Sequence, residues 1–275
     1  MKMKKWGVVL ACGMLVAALG MFGCASNDAS SSSAASSSSD AAAQDLGWTT
    51  DGKLTVAVSP DYPPFENIEN GEYVGFDIDF AKALAENLGL EIEFKTLQFD
   101  GIVPAIAAGG QADLGISGIS VDPERAEQVA FTDSYFIDDQ SVAVMKGGDI
   151  TAENADEALN SADVIIAVQT GSTGESFARE NYPNATIKGY GNATDCFAAM
   201  QAGNVTAVCM NKAVVAQMLA QSYQDAEVVK SVATGEEYAV VVSKDNAALL
   251  SAVNEAIAAL QADGTIEGLN TKHFG

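Results

Sequence analysis

Apolar residues along this chain follow two rhythms. Short runs rich in β-branched residues alternate with segments whose apolar positions recur every three or four residues. Lys53 to Ser59 (KLTVAVS) reads as a strand, and Asp77 to Leu88 (DIDFAKALAENL) reads as a helix with Asp77 as N-cap and Gly89 as stop. Glu91 to Lys95 (EIEFK) alternates as a strand, Gly101 to Ala108 reads as a short helix, and Ala112 to Ser117 (ADLGIS) as another strand. The second half repeats the order, with a strand at Val164 to Val168, helices beginning at Glu175 and spanning Thr194 to Gln201, and a strand at Val205 to Met210. This alternation predicts an α/β fold with mostly parallel strands. Residues 105–117 (AIAAGGQADLGIS) and 199–211 (AMQAGNVTAVCMN) also match weakly, each reading as helix, Ala-Gly turn and buried strand, which suggests two related lobes.

The first 50 residues carry neither rhythm. Lys2, Lys4 and Lys5 precede an apolar stretch from Val8 to Phe22, which is too short for a membrane span and ends in Gly23-Cys24. A small residue followed by cysteine at that point resembles a bacterial lipobox, in which the thiol receives a diacylglyceryl group and becomes the mature N-terminus. Met21 and Phe22 depart from the usual pattern, and an ordinary signal peptide with an incidental cysteine is the alternative. Residues 25–46 (ASNDASSSSAASSSSDAAAQDL) cannot bury enough apolar surface to fold, and behind an anchor they make a flexible tether. The expected layout is a signal peptide at 1–23, a tether at 24–50 and a folded part from about Asp51 onward.

Composition narrows the chemistry. The 275 residues carry a net charge of −23, which argues against nucleic acid as a partner. His273 is the only histidine, so a His-based triad or His-rich metal site is excluded, and neither a metal nor a cofactor is expected. Arg125 and Arg179 are the only arginines. Cys196 and Cys209 lie in the body of the chain; export permits a disulfide between them, and two buried free thiols are the other reading.

In open α/β sheets ligands gather beyond the carboxyl ends of strands, so the loops after Ser59, Ser117, Val168 and Met210 are the informative ones. The first reads SPDYPPFE; its prolines present Tyr62 rigidly, either as a platform for a ligand or as a packed turn residue. In the second, SGISVDPER, Gly118 permits close approach of a ligand, Ser120 offers a hydroxyl, and Pro123 suits a first helical turn carrying Arg125. A guanidinium so placed can grip a carboxylate with two parallel hydrogen bonds, unless Glu124 or Glu127 holds it in a surface ion pair. The third, QTGSTGE, opens a helix with free N–H groups and hydroxyls at Thr170, Ser172 and Thr173; it is either an anion site or an ordinary cap.

The stretches SPDYPPFE, GFDIDFAKALAENLG, FDGIVPAI, ISGISVDPER, FTDSYF, VQTGSTGESFARENYP and EEYAVVVSKD, in this order, resemble the polar-amino-acid family of bacterial solute-binding proteins that feed ATP-driven (ABC) importers. The resemblance runs from Lys53 to Phe274. It implies a two-lobed, type II periplasmic-binding-protein fold with two hinge crossovers, near Ser141 and near Tyr238. Lobe one would be 52–139 plus 236–275 and lobe two 140–235. It further implies that Tyr62 and Phe99 sandwich the ligand's side chain. Arg125 grips its carboxylate with help from Ser120 and Thr173. Ser117, Gly118 and Ser120 receive its ammonium, and Thr170 and Ser172 line the second lobe. The protein would act as a monomer, outside the cytoplasm, on the membrane through lipidated Cys24, and its partners would be a small ligand and an ABC permease.

Two positions depart from that family's habit. Asn211 stands where an acid commonly pairs the ammonium, and Lys212 beside it could favour an acidic group. Ser59, also counted among the ligand contacts, stands where members selective for cationic side chains carry Asp. A dehydratase-like enzyme on the same fold, with Asp61 or Glu66 as acid or base, and a ligand sensor are the competing functions.

Overall fold

The computed structural model describes residues 46–275; the leader, Cys24 and most of the tether lie outside the described residues. In chain order the first elements are β1 (Lys53–Val58), β2 (Asp61–Tyr62), β3 (Glu66–Glu69), β4 (Glu72–Val74), α1 (Phe76–Asn87), β5 (Glu91–Thr96), α2 (Phe99–Ala108), β6 (Leu114–Gly115), α3 (Pro123–Ala126) and β7 (Val129–Met145). There follow α4 (Ala155–Leu159), β8 (Ile165–Gln169), α5 (Thr173–Asn181), β9 (Thr186–Tyr190), α6 (Ala193–Gln201), β10 (Ala207–Asn211), α7 (Lys212–Gln221), β11 (Ala226–Ser243), α8 (Ala247–Ala262) and α9 (Thr265–Phe274).

The eight-stranded sheet has the order β5-β1-β6-β11-β7-β10-β8-β9. That order is a palindrome: β5-β1-β6-β11 on one side answers β9-β8-β10-β7 on the other. Pairing is parallel within β5-β1-β6 and within β10-β8-β9. It is antiparallel wherever β7 or β11 takes part, so the sheet is mixed, with its parallel pairings lying outside the two crossover strands. The reason is topological. The chain leaves one half through β7, 17 residues long, and returns through β11, 18 residues long, so these two must run in opposite directions. The weakly matching segments become α2–β6 and α6–β10, and each turn contains a glycine at φ 73° (Gly109 and Gly203).

Alternation along the strands separates the cores. In β1, Leu54, Val56 and Val58 face the cluster packed under α1, α8 and α9, whereas Ala57 faces the cluster under α2. In β10, Val208 and Met210 join the first cluster, while Ala207 and Cys209 join a separate cluster with α4 and β8. Cys196 packs with Val208 and Met210, on the face that Cys209 turns away from. Both cysteines are buried free thiols, so the possible disulfide is not formed.

Three boundaries move. α1 begins at Phe76 after Gly75, so Asp77 is not its N-cap but an interior, fully buried residue. The strand expected over 112–117 is regular only at Leu114–Gly115, because the following residues leave the sheet to form the Ser117–Ser120 loop. The end of the tether belongs to the fold: Leu46 and Trp48 pack on the core and the Thr49 N–H donates to Asp113 Oδ1 (2.6 Å).

Candidate functional site

The cleft is built by the loops that follow β1, β6 and β8 and by the end of β10. Tyr62 is buried against Phe65, and its hydroxyl donates to Asn211 Oδ1 at 2.7 Å. It therefore spans from the first loop to the end of β10. Gly118 adopts φ 53°, which favours glycine, and a Cβ there would sit a tight 3.3 Å from the rings of both Tyr62 and Tyr238.

Arg125 is placed by a short cap. Asp122 accepts hydrogen bonds from the N–H groups of Glu124 and Arg125, and Pro123 opens the turn. The guanidinium donates to the Ser120 carbonyl (2.8 Å) and, across the cleft, to the Gly171 carbonyl (2.9 Å), with the Phe99 ring centroid 5.3 Å from its Cζ. Among the described residues no carboxylate lies within ion-pair distance of Arg125, so neither Glu124 nor Glu127 holds it. Arg179 differs: it pairs with Glu175 at 2.6 Å on the exposed face of α5. A cavity of about 140 Å³ opens beside Arg125, between Phe99, Ile119, Gln128 and Gly171.

The loop opening α5 divides its hydroxyls. Ser172 is the N-cap and accepts from the Glu175 N–H (3.1 Å), so its hydroxyl serves the helix. Thr173 turns to the cleft, where its hydroxyl meets the Glu236 carboxylate. The Thr170 N–H is taken by the Tyr190 carbonyl. Lys212 pairs with Asp139 at 3.4 Å with its side chain half exposed.

Beneath the Ser117–Gly118 loop lies a buried pair of carboxyl groups. Asp77 accepts from the Gly118 N–H (2.6 Å) and the Tyr135 hydroxyl (3.0 Å), and Glu66 accepts from the Ser117 hydroxyl. Ser117 in turn accepts from the Ser59 N–H (3.1 Å). The Ser117 hydroxyl and the Gly118 N–H are thus spent within the protein. Burial, then the neighbouring Asp77 charge, pushes the Glu66 carboxyl well above the usual range, and burial pushes Asp77 up to about 6. Asp77, with two donors from loop and tyrosine, is the ionised partner; Glu66 keeps the proton.

Two groups in the cleft are illegible from motifs alone. Glu236 of β11 and Gln140 of β7 meet at 2.7 Å between the crossover strands. The one available signal is parity: Glu236 shares its side of the strand with Tyr238 and Val240, both fully buried, so an acid stands in an inward-facing series.

Two halves of palindromic topology, joined by paired crossover strands and meeting at a polar cleft that an arginine bridges, define a two-lobed solute-binding protein. Residues 54–275 match the bacterial extracellular solute-binding proteins, family 3, and the chain belongs to that family. It is 32% identical over 238 residues to ABC transporter arginine-binding protein 1 of Escherichia coli, covering 85% of this chain and 95% of that one. An ancestral arginine-binding protein solved with arginine superposes with a TM-score of 0.75 at 35% identity, covering 82% of this chain and 99% of that one. An ancestral amino acid-binding protein described as a precursor of cyclohexadienyl dehydratase gives 0.75 at 36% identity, covering 82% and 96%.

Proposed function

We propose that this protein captures a small amino acid or related carboxylate by closing two lobes around it and presents the closed form to the permease of an ABC importer. Arg125 carries the reading. It is a half-buried guanidinium with no carboxylate partner among the described residues, set beside the Ser120 and Thr173 hydroxyls and already bridging the two sides of the cleft. The proposed lobes are 52–139 plus 236–275 and 140–235; the changeovers fall inside β7 and β11. Thermal melting with a panel of amino acids tests it. Arg125→Ala should abolish ligand-induced stabilisation, whereas Arg179→Ala, which breaks an exposed pair worth little, should keep it. Equal effects of the two substitutions sink the assignment.

A binding role is favoured over catalysis by where the acids stand. Glu66 is engaged with Ser117 beneath the loop, and Asp61 accepts from the Ala193 N–H (2.6 Å) and the Ser59 hydroxyl (3.1 Å), so both are committed to structural partners. The protein works as a monomer outside the cytoplasm. Among the described residues no helix is long and apolar enough to cross a membrane, and attachment would come from a lipid on Cys24. Cells expressing Cys24→Ala should release the protein into the soluble fraction and incorporate no labelled palmitate into it; retention with unchanged labelling would overturn the anchor.

A further inference from the structure

Glu236 projects from β11 where the pairing with β7 shifts register, between Val232 and Glu236. Its Oε2 accepts from the Ser120 hydroxyl (2.7 Å), the Thr173 hydroxyl (2.6 Å) and Asn211 Nδ2 (3.1 Å). Its Oε1 accepts from Gln140 Nε2 (2.7 Å) and the Thr234 hydroxyl (3.3 Å). Every one of these donors is neutral. Among the described residues no lysine, arginine or histidine lies within ion-pair distance of Glu236. A carboxylate at the centre of the cleft is solvated by neutral dipoles and forms no ion pair, and the Arg125 charge reaches it only through space.

Ser120 and Thr173 are also the hydroxyls set beside Arg125. A ligand carboxylate gripped there takes them over and comes to rest beside Glu236. Two anions so close in a cleft shielded from water repel each other, and Glu236 loses two hydrogen bonds as well. Only a ligand carrying a cation next to its carboxylate turns this cost into an attraction. Asn211 brings no charge of its own, and its Oδ1 is already taken by Tyr62. On the reading that Arg125 holds the ligand's carboxylate, we propose that Glu236 is the counter-ion of the ligand's ammonium, displaced from the end of β10 onto the crossover strand. The ligand is then a zwitterionic α-amino acid, and carboxylates without an amine are rejected.

The test compares two ligands on three proteins. Titration calorimetry identifies the tightest of the twenty L-amino acids, and its 2-hydroxy-acid counterpart is measured alongside on wild type, Glu236→Gln and Glu236→Asp. Wild type should prefer the amino acid by roughly 10- to 100-fold. Glu236→Gln should lose that preference by weakening the amino acid while the hydroxy acid binds as well as before or better; Glu236→Asp should keep part of it. Equal weakening of both ligands by Glu236→Gln marks a merely structural role and overturns the proposal, as does unchanged amino-acid affinity. If wild type binds no amino acid or hydroxy acid at all, the binding role itself fails, an outcome distinct from either of these.

Discussion

Glu66 shows how one carboxyl can support a ligand loop without touching a ligand. It stays protonated between Ser117 and Asp77, and Asp77 holds the Gly118 N–H. The unfolded chain would ionise Glu66 above about pH 4.3. A folded-state value pushed upward means that the native protein binds the extra proton, so stability is full below the unfolded value and falls as pH rises through the folded one. Glu66→Gln keeps the shape and a hydrogen-bond donor toward Asp77 while removing the titration. It should stabilise the fold at pH 8 by on the order of 1–3 kcal/mol and leave it unchanged near pH 4, read by urea denaturation at both values. Equal destabilisation at both would mean that Glu66 acts as a charged partner instead. At this scale Arg125 was legible, being one of two arginines and following Asp-Pro at a helix start. Asp77 was not: an acid just after Gly75-Phe76 looks like a cap, and its partner Gly118 is 41 positions away. Glu236 was hidden for a related reason, since Glu236-Glu237 reads as a solvated pair until the strand's inward side is known.

Elements were legible wherever a single period ruled them. α1, α2, α6, β1, β5 and β8 fall within one or two residues of the apolar pattern; all but the edge strand β5 bury one face or lie largely inside. β7 and β11 defeat the pattern. Each serves both halves of the molecule, so the side that faces a core in one half does not carry through to the other. Register shifts at Val228/Lys230, Val232/Glu236 and near Ala239 break the alternation further. Glu236 resumes regular pairing directly after one of these shifts, so its inward side cannot be followed back along the strand. The loop after β6 behaves alike: the strand ends after two residues, which frees Ser117 through Ser120 to line the cleft.

At the scale of the whole molecule, the palindromic sheet places two similar halves face to face, and the described structure has them in contact. Direct contacts cross the cleft, among them Asp61 Oδ2 with the Ala193 N–H (2.6 Å), Tyr62 with Asn211 (2.7 Å), Arg125 with Gly171 (2.9 Å), Gln98 with Asn192 (3.4 Å) and Thr173 with Glu236 (2.6 Å). Of these, Asp61 offers a charged closing contact, because one carboxylate oxygen meets the first N–H of α6, where the helix dipole favours negative charge, while the other accepts from Ser59 on its own loop. A ligand shifts the open–closed balance only by its differential affinity, and observed affinity scales with the fraction of protein already able to close. Asp61→Ala removes a closing contact without touching Arg125 or Glu236. In small-angle X-ray scattering the ligand-free variant should therefore be more expanded than wild type, and saturating amino acid should restore the compact value. Its affinity should fall several-fold with unchanged preference among ligands. A variant as compact as wild type when empty, and equally tight in binding, would show that Asp61 merely caps α6 and that closure rests on the other contacts.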